Sequence, residues 1–316
     1  MATAINSFIL ISLNVACLRD LKSKAGLIDI LKRGPDVCLL QEVNIGTLDL
    51  ETIVNKYGYK AASNIDITDE NSRGTAFIWR DGLPISEVSV VEPCRLQVAT
   101  LGSFSILNIY APSGTKNKYA RKEFYSGPVM RAVRSLTVHN VPPIIGGDFN
   151  CILNKKDAMA NQQQKMCPAL RDLVKGFGYQ DAFRHLYPNT ISYTFHRRNT
   201  ASRLDRFYFG QMNIPNLQEV LHFPVSFSDH DGVLVKMFLP DISKPPPPPK
   251  PRSTYWKVNN SVLKDPDFKE NFTRVWNLSN KTKNSHPSVV SWWENVFKSN
   301  KVYKVYKVRN RRNGRK

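Results

Sequence analysis

The first apolar run of the chain, Phe8-Ile9-Leu10-Ile11-Ser12-Leu13, is too short to cross a bilayer and predicts a strand ending at Asn14. A helix is predicted over about Leu18 to Arg33, with apolar Leu21, Ala25, Leu27, Ile28, Ile30 and Leu31, and Gly34-Pro35 stops it. A second strand, from Asp36 to Val43, carries Gln41-Glu42 at its polar end, giving a βαβ-like opening. Short strands at 74–79, 85–90, 96–101 and 104–112 then predict an antiparallel meander ending at Tyr110 and the Pro112-Ser113-Gly114 turn. After a helix over about Tyr119 to Ser135, Ile144-Ile145-Gly146-Gly147-Asp148-Phe149-Asn150 reads as a buried strand running into a tight turn. The two glycines suit a backbone that approaches a ligand closely. Asp148 and Asn150, two apart on an extended segment, would point to the same side.

Beyond this strand the pattern predicts a polar loop from Asn154 to Met166 and a helix over Ala169–Gly176. Ser192–Phe195 and Ser202–Phe209 would pair as strands, with His196 to Ala201 as a basic hairpin tip. Ser228-Asp229-His230-Asp231 precedes a final strand, Gly232–Leu239. Strands followed by helices, twice over, predict a two-layered β-sandwich flanked by helices. The unbroken run Pro245–Pro249 predicts an extended spacer. The chain is thus expected to divide into a domain at 1–240, a proline-rich linker at 241–252 and a basic, partly helical segment at 253–316. In that segment Val262, Leu263, Phe268, Phe272, Val275 and Trp276 have helical spacing.

Composition narrows the class. Of 316 residues, 41% are hydrophobic and 22% charged, as in a soluble globular protein. Five cysteines without a CxxC pair suggest a reducing compartment and neither a disulfide framework nor a zinc site. No apolar run is long enough to span a membrane. The net charge of +19 is uneven: residues 1–240 hold 27 Lys/Arg against 21 Asp/Glu, and residues 241–316 hold 18 against 5. A basic tail on a milder domain suggests a polyanion partner; a solvated tail is the alternative.

Asn14, Glu42, Tyr110, Asp148, Asn150, Asp205, Asp229 and His230 all fall at predicted strand ends or in the turns just after them. Phosphodiester cleavage needs such parts. A carboxylate at a sheet rim suits a hard divalent cation, and a His beside a carboxylate works as base or phosphate ligand. Singly, each residue is as well explained as a turn former or a satisfied polar group. It is their joint placement that points to a site.

Six ordered stretches then carry a resemblance: Ser12-Leu13-Asn14, Leu40-Gln41-Glu42, Asn108-Ile109-Tyr110-Ala111-Pro112, Gly146–Asn150, Ser202-Arg203-Leu204-Asp205-Arg206 and Ser228-Asp229-His230. Over residues 8–239 they resemble the motifs of the endonuclease/exonuclease/phosphatase family. The resemblance implies a DNase I-like α/β fold, a four-layered α/β sandwich of two packed mixed β-sheets flanked by helices. It also implies roles. Glu42 binds Mg2+, for which Mn2+ can substitute; Asn14 supports that site, and Asp229 is a second acidic group near it. Asp148 orients or activates the attacking water, Asn150 holds it and the phosphate, and Tyr110 contacts the phosphate. Asp205 and His230 form a dyad that binds or protonates phosphate oxygens.

Within the family, Ser202 stands where abasic-site repair enzymes carry an aromatic residue. The run from Ser192 to Asp205 and the stretch Asp148–Asn154 resemble the endonuclease domain of LINE-type non-LTR retrotransposons. The tail Tyr255–Leu263 resembles the region between that domain and reverse transcriptase. This implies a nuclease that nicks one strand of double-stranded DNA and leaves a 3′-hydroxyl primer for target-primed reverse transcription. It would be synthesised in the cytoplasm and act in the nucleus. Its partners would be its element RNA and a reverse transcriptase region downstream of this chain, with no membrane. Arg197 and Arg198 at the hairpin tip, with Thr194 and Ser202 beside it, are the expected DNA-binding residues. The competing readings are an abasic-site repair nuclease, a lipid or inositol phosphatase of the same fold, and a catalytically silent nucleic-acid-binding module.

Overall fold

In a computed structural model, residues 7–239 are described apart from 67, 69–72, 103, 139–140 and 160–165, together with 266, 269, 270, 273, 274, 276 and 277. The chain divides into two compact units, Met1–Pro251 and Arg252–Lys316. The proline run and most of the apolar positions expected to form a helix beyond it lie outside the described residues; Trp276 is helical.

The first unit contains two six-stranded sheets. One has the order β13-β14-β1-β2-β4-β3, built from β1 (Ser7–Asn14), β2 (Val37–Gln41), β3 (Tyr59–Asn64), β4 (Thr75–Arg80), β13 (Leu217–Phe223) and β14 (Gly232–Phe238). The other has the order β5-β6-β7-β8-β12-β9, built from β5 (Ile85–Glu92), β6 (Leu96–Leu101), β7 (Phe104–Tyr110), β8 (Ile144–Asp148), β9 (Tyr179–Asp181) and β12 (Asp205–Gly210). Each sheet is mixed, since β1–β2 and β7–β8 pair in parallel and the other neighbours antiparallel.

Side-chain alternation makes the layers. Along β1, Phe8 and Leu10 enter the core between the sheets, whereas Ile11 and Leu13 face helices α1 (Leu21–Leu31) and α2 (Thr47–Val54). Along β8, Ile144 points between the sheets and Ile145 meets α3 (Lys118–Phe124), α4 (Met130–Leu136) and α5 (Pro168–Gly176). A strand buried on both faces reads as a continuous apolar run, as these two do. The result is the four-layered sandwich.

The helix expected over Tyr119 to Ser135 is interrupted by a π-helical turn at Tyr125–Val129, where Pro128 lacks the N–H that a regular helix would use. The sequence pattern did not resolve α2, β3 and β13. Each is short, and β3 and β13 carry polar residues at half-buried positions.

The expected pairing of Ser192–Phe195 with Ser202–Phe209 holds only where Phe195 meets Ser202, and the rest is corrected. β10 (Phe195–Arg197) pairs with β11 (Thr200–Ser202) in a separate two-stranded sheet, and β12 pairs with β8 and β9. The tip is therefore only Arg198-Asn199, with Arg198 at φ 51°. The apolar body of β12 is drawn into the large sheet, where Phe207 and Phe209 fill the core. A short helix, α6 (Ala182–Leu186), follows β9.

Candidate active site

Register brings the polar strand ends to one rim. Asn14 is opposite Gln41 in the β1–β2 ladder, and Asp148 is opposite both Tyr110 of β7 and Asp205 of β12. Below the rim, Gln41 Nε2 donates to Asn108 Oδ1 at 2.8 Å, and Asn108 Nδ2 donates to the carbonyls of Leu40 and Ala76. These buried amides join the two sheets directly under Glu42 and Tyr110.

Gly146 and Gly147 lie within β8, not in the turn, and their role is packing. A Cβ on Gly146 would collide with Phe207 and Leu39, and one on Gly147, at φ 141°, with the backbone of Ile109. Asn150 does not continue an extended segment. At φ 47° it turns back, so that its N–H donates to Asp148 Oδ1 at 2.9 Å and its Nδ2 to Asp148 Oδ2 at 3.0 Å. Glu42 is also left-handed, at φ 60°. Two non-glycine residues held in this sparsely populated region cost of order 1 kcal/mol or more each, and such strain clusters at functional sites.

The remaining contacts tie the set together. Asn14 Nδ2 lies 3.1 Å from both Glu42 Oε1 and Asp148 Oδ2. Tyr110 Oη donates to Glu42 Oε1 at 3.0 Å. Burial, then the carboxylates of Glu42 and Asp148, keep this phenol protonated. Asp205 Oδ2 accepts from Thr194 Oγ1 at 2.7 Å and stands 2.9 Å from His230 Nδ1. That pairing leaves Nε2 as the ring atom for the cleft. Burial opposes charge on His230, but Asp205, Asp148 and Asp229 outweigh it and raise its pKa to about 10. Asp148 is raised to about 6, first by burial and then by repulsion from Asp205, against the pull of His230.

A cleft of about 860 Å³ opens over this rim, walled by Glu42, Asp148, Asn150, Asp229 and His230 and, on its basic side, by Arg73, Lys118, Arg121 and Arg197. Asp229 is exposed there. Arg197 lines the cleft, whereas Arg198 is at the exposed turn beyond it. Thr194 and Ser202, expected at the DNA surface, are corrected: both are 0% exposed. Thr194 is consumed in holding Asp205, since its Oγ1 also accepts from the N–H groups of Leu204 and Asp205. The sequence reading missed Phe195, whose ring lies 4.9 Å from His230, and the cleft residues Arg73 and Lys118. Phe195 was legible as the apolar end of Ser192–Phe195. Arg73 sits in a loop and Lys118 opens α3, each among ordinary polar residues, and neither carried a signal.

The donor set fits a hard divalent cation. Glu42 Oε2 already pairs with a cation, the guanidinium of Arg73 at 2.8 Å. Asp205 Oδ1 is buried without a hydrogen-bond partner among the described residues. Asp148 and Asp205 add carboxylate oxygens that lie within 4.8 Å of each other. These are oxygen-rich donors of the kind such ions prefer. No helix among the described residues is long and apolar enough to cross a membrane.

The profile of the Endonuclease/Exonuclease/phosphatase family matches residues 11–230. The chain is 26% identical over 197 residues to the Transposon TX1 uncharacterized 149 kDa protein of Xenopus laevis, a stretch covering 61% of this chain and 14% of that protein. Its fold is similar to the AP endonuclease LMAP from Leishmania major, at TM-score 0.64 and 18% identity, over 74% of this chain and 88% of that one. It is similar also to a 3′ phosphatase, NExo, from Neisseria, solved with a product DNA hairpin, at TM-score 0.62 and 18% identity over 73% and 100%.

Proposed function

Since the chain belongs to the endonuclease/exonuclease/phosphatase family, we propose that it is a divalent-metal-dependent DNA endonuclease of a LINE-type retroelement. It nicks one strand and leaves a 3′-hydroxyl that primes reverse transcription. The observation that carries this reading is the Asp148–Asp205–His230 cluster in a cleft walled by both carboxylates and arginines. The transposon relative supports the retroelement setting. Action in the nucleus, an element RNA and a downstream reverse transcriptase belong to the same proposal.

Glu42, with Asn14 beside it, would hold Mg2+, which screens a phosphate oxygen and stabilises the leaving alkoxide. Arg73, paired with Glu42 and lining the same cleft, would be within reach of a substrate phosphate. Asp148, held by three N–H donors from Asn14 and Asn150, orients the attacking water through its carboxylate. The protonated His230 ring, fixed by Asp205, presents Nε2–H to a phosphate oxygen as charge develops on it. Tyr110, buried behind the rim, keeps Glu42 in place through its hydroxyl. The basic tail of residues 241–316 adds non-specific affinity for the polyanion.

An abasic-site repair activity is the second reading, supported by the AP endonuclease likeness of the fold. The buried Ser202 gives no aromatic wall from its position. Supercoiled plasmid with Mg2+, wild type against His230→Ala, tests the proposal. The wild-type nick should be extended directly by a DNA polymerase, and an abasic duplex should be cut no faster than an intact one. Cleavage confined to abasic sites would replace the first reading by the second.

A further inference from the structure

The β10–β11 hairpin belongs to neither large sheet and has three residue pairs of its own. A two-stranded hairpin of this size is not stable alone in water. Its pose must come from what fastens it. On the β10 side it is fastened to the catalytic loop: Phe195 bridges to His230, His196 N–H donates to the Asp229 carbonyl at 2.9 Å, and Asp231 N–H donates to the Thr194 carbonyl at 2.6 Å. On the β11 side it is fastened to the segment leading away from Asp148 and Asn150. Ala158 bridges to Ser202, Met159 N–H donates to the Ala201 carbonyl at 3.1 Å, and Arg203 N–H donates to the Asp157 carbonyl at 2.7 Å.

Behind that second fastening is an ionic cluster with no part in the chemistry. Asp157 Oδ1 accepts from Arg203 Nε at 2.9 Å and from Arg184 Nη2 at 2.6 Å. Arg203 forks onto both oxygens of Asp181 at 3.0 and 2.6 Å. Arg206 lies 3.8 Å from each acid. Asp157 and Arg203 are each 1% exposed. Forked pairs of this kind fix orientation as well as supplying energy. Three arginines face two carboxylates, so the cluster carries one excess positive charge, and Arg184 is the member whose loss balances it.

We propose that Asp157, Arg203, Asp181 and Arg184 are positioning residues that fix the β10–β11 hairpin, with Arg197 on it, relative to His230, and thereby set where the duplex is cut. This rests on the nuclease reading above. The hairpin is then a strap between two loops of the active centre, and the ionic cluster is its outer anchor.

The test uses the full chain, with Arg184→Gln and Asp157→Asn. Hydrogen exchange followed by mass spectrometry reads the amides of residues 194–203, with β1 and β2 as internal standards. Nicks are mapped on one plasmid at equal turnover. In Arg184→Gln we expect hairpin exchange to accelerate about tenfold, through local opening, with β1 and β2 unchanged and the nicks redistributed. Asp157→Asn should give the same pattern, larger. Should Asp157→Asn fail to fold, Arg184→Gln, which leaves a balanced cluster, decides. Unchanged hairpin exchange overturns the anchor, and faster exchange with an unaltered nick map overturns the link to cutting position. A wild type that makes no nicks is instead a failure of the nuclease reading, seen before any variant is compared.

Discussion

Asp148 and Asp157 are both 1% exposed, yet their environments move their carboxyls in opposite directions. Burial and the neighbouring Asp205 raise Asp148 to about 6, with His230 the cation beside it. Burial would raise Asp157 too, but Arg206, Arg203 and Arg184 reverse the sign and hold it at about 2. The difference lies in the count and permanence of the partners. A guanidinium stays charged and forks, whereas an imidazole is one group shared among several acids. One carboxylate is held at a raised pKa at the cleft, and the other is locked in an ionic cluster. In the proposed mechanism, residues nine apart thus divide chemistry from support.

The largest effect should come from the reactive side. His230→Ala should cut the nicking rate by a hundredfold or more, of the order expected for losing a group that acts mainly in the transition state. Because it leaves buried Asp205 without its cationic partner, the variant should also melt lower, so rates are compared at a temperature where circular dichroism shows it folded. A near-normal rate on plasmid DNA would remove His230 from the chemistry.

The locked side should break differently. Asp157→Ala should destabilise the protein by about 3–5 kcal/mol, because it strands buried guanidiniums, as read by denaturant titration. The pH dependence follows from the lowered pKa. The unfolded carboxyl titrates near 3.8 and the folded one near 2. The contribution of Asp157 is therefore fully present above about pH 4 and is lost as pH falls towards 2.

For Asp148 the sign reverses. Between about pH 4 and 6 the folded state holds a proton that the unfolded state has released, so its contribution to stability falls as pH rises through that window. In metal-free buffer Asp148→Asn should therefore raise the melting midpoint at pH 7.5, with the gain disappearing below pH 4, while nicking is lost. A variant that melts lower at pH 7.5 would contradict the contrast between the two acids.

The smallest effect on rate should come from the hairpin itself. Arg197→Ala with Arg198→Ala should change the distribution of nicks on one plasmid, with less effect on total cutting than His230→Ala. Arginines on a projecting loop read groove shape more than they do chemistry. A uniform fall in activity with the same nick map would make them phosphate contacts.

Much of this site was legible in one dimension because the rim residues end strands, and strand ends are marked by apolar runs breaking into polar turns. Asn14, Glu42, Tyr110, Asp148 and His230 could all be found that way. The glycines were legible as necessary but not for their reason: only the facing sheet shows that Gly146 and Gly147 make room for Phe207, Leu39 and Ile109. Thr194 and Ser202 looked like surface polars. Their burial depends on β10–β11 folding back as a separate hairpin against the 155–159 and 228–231 segments, which no local pattern encodes.

The sequence by itself determined which residues end the strands, where the basic charge gathers and which family the chain resembles, because periodicity, turn chemistry and charge are local properties. Tertiary structure alone decided that Asp148 meets Asp205 and His230 while Asp157 meets three arginines. Both pairings join residues distant along the chain, and the state of a buried carboxylate is set by the charges that packing brings within a few ångströms of it.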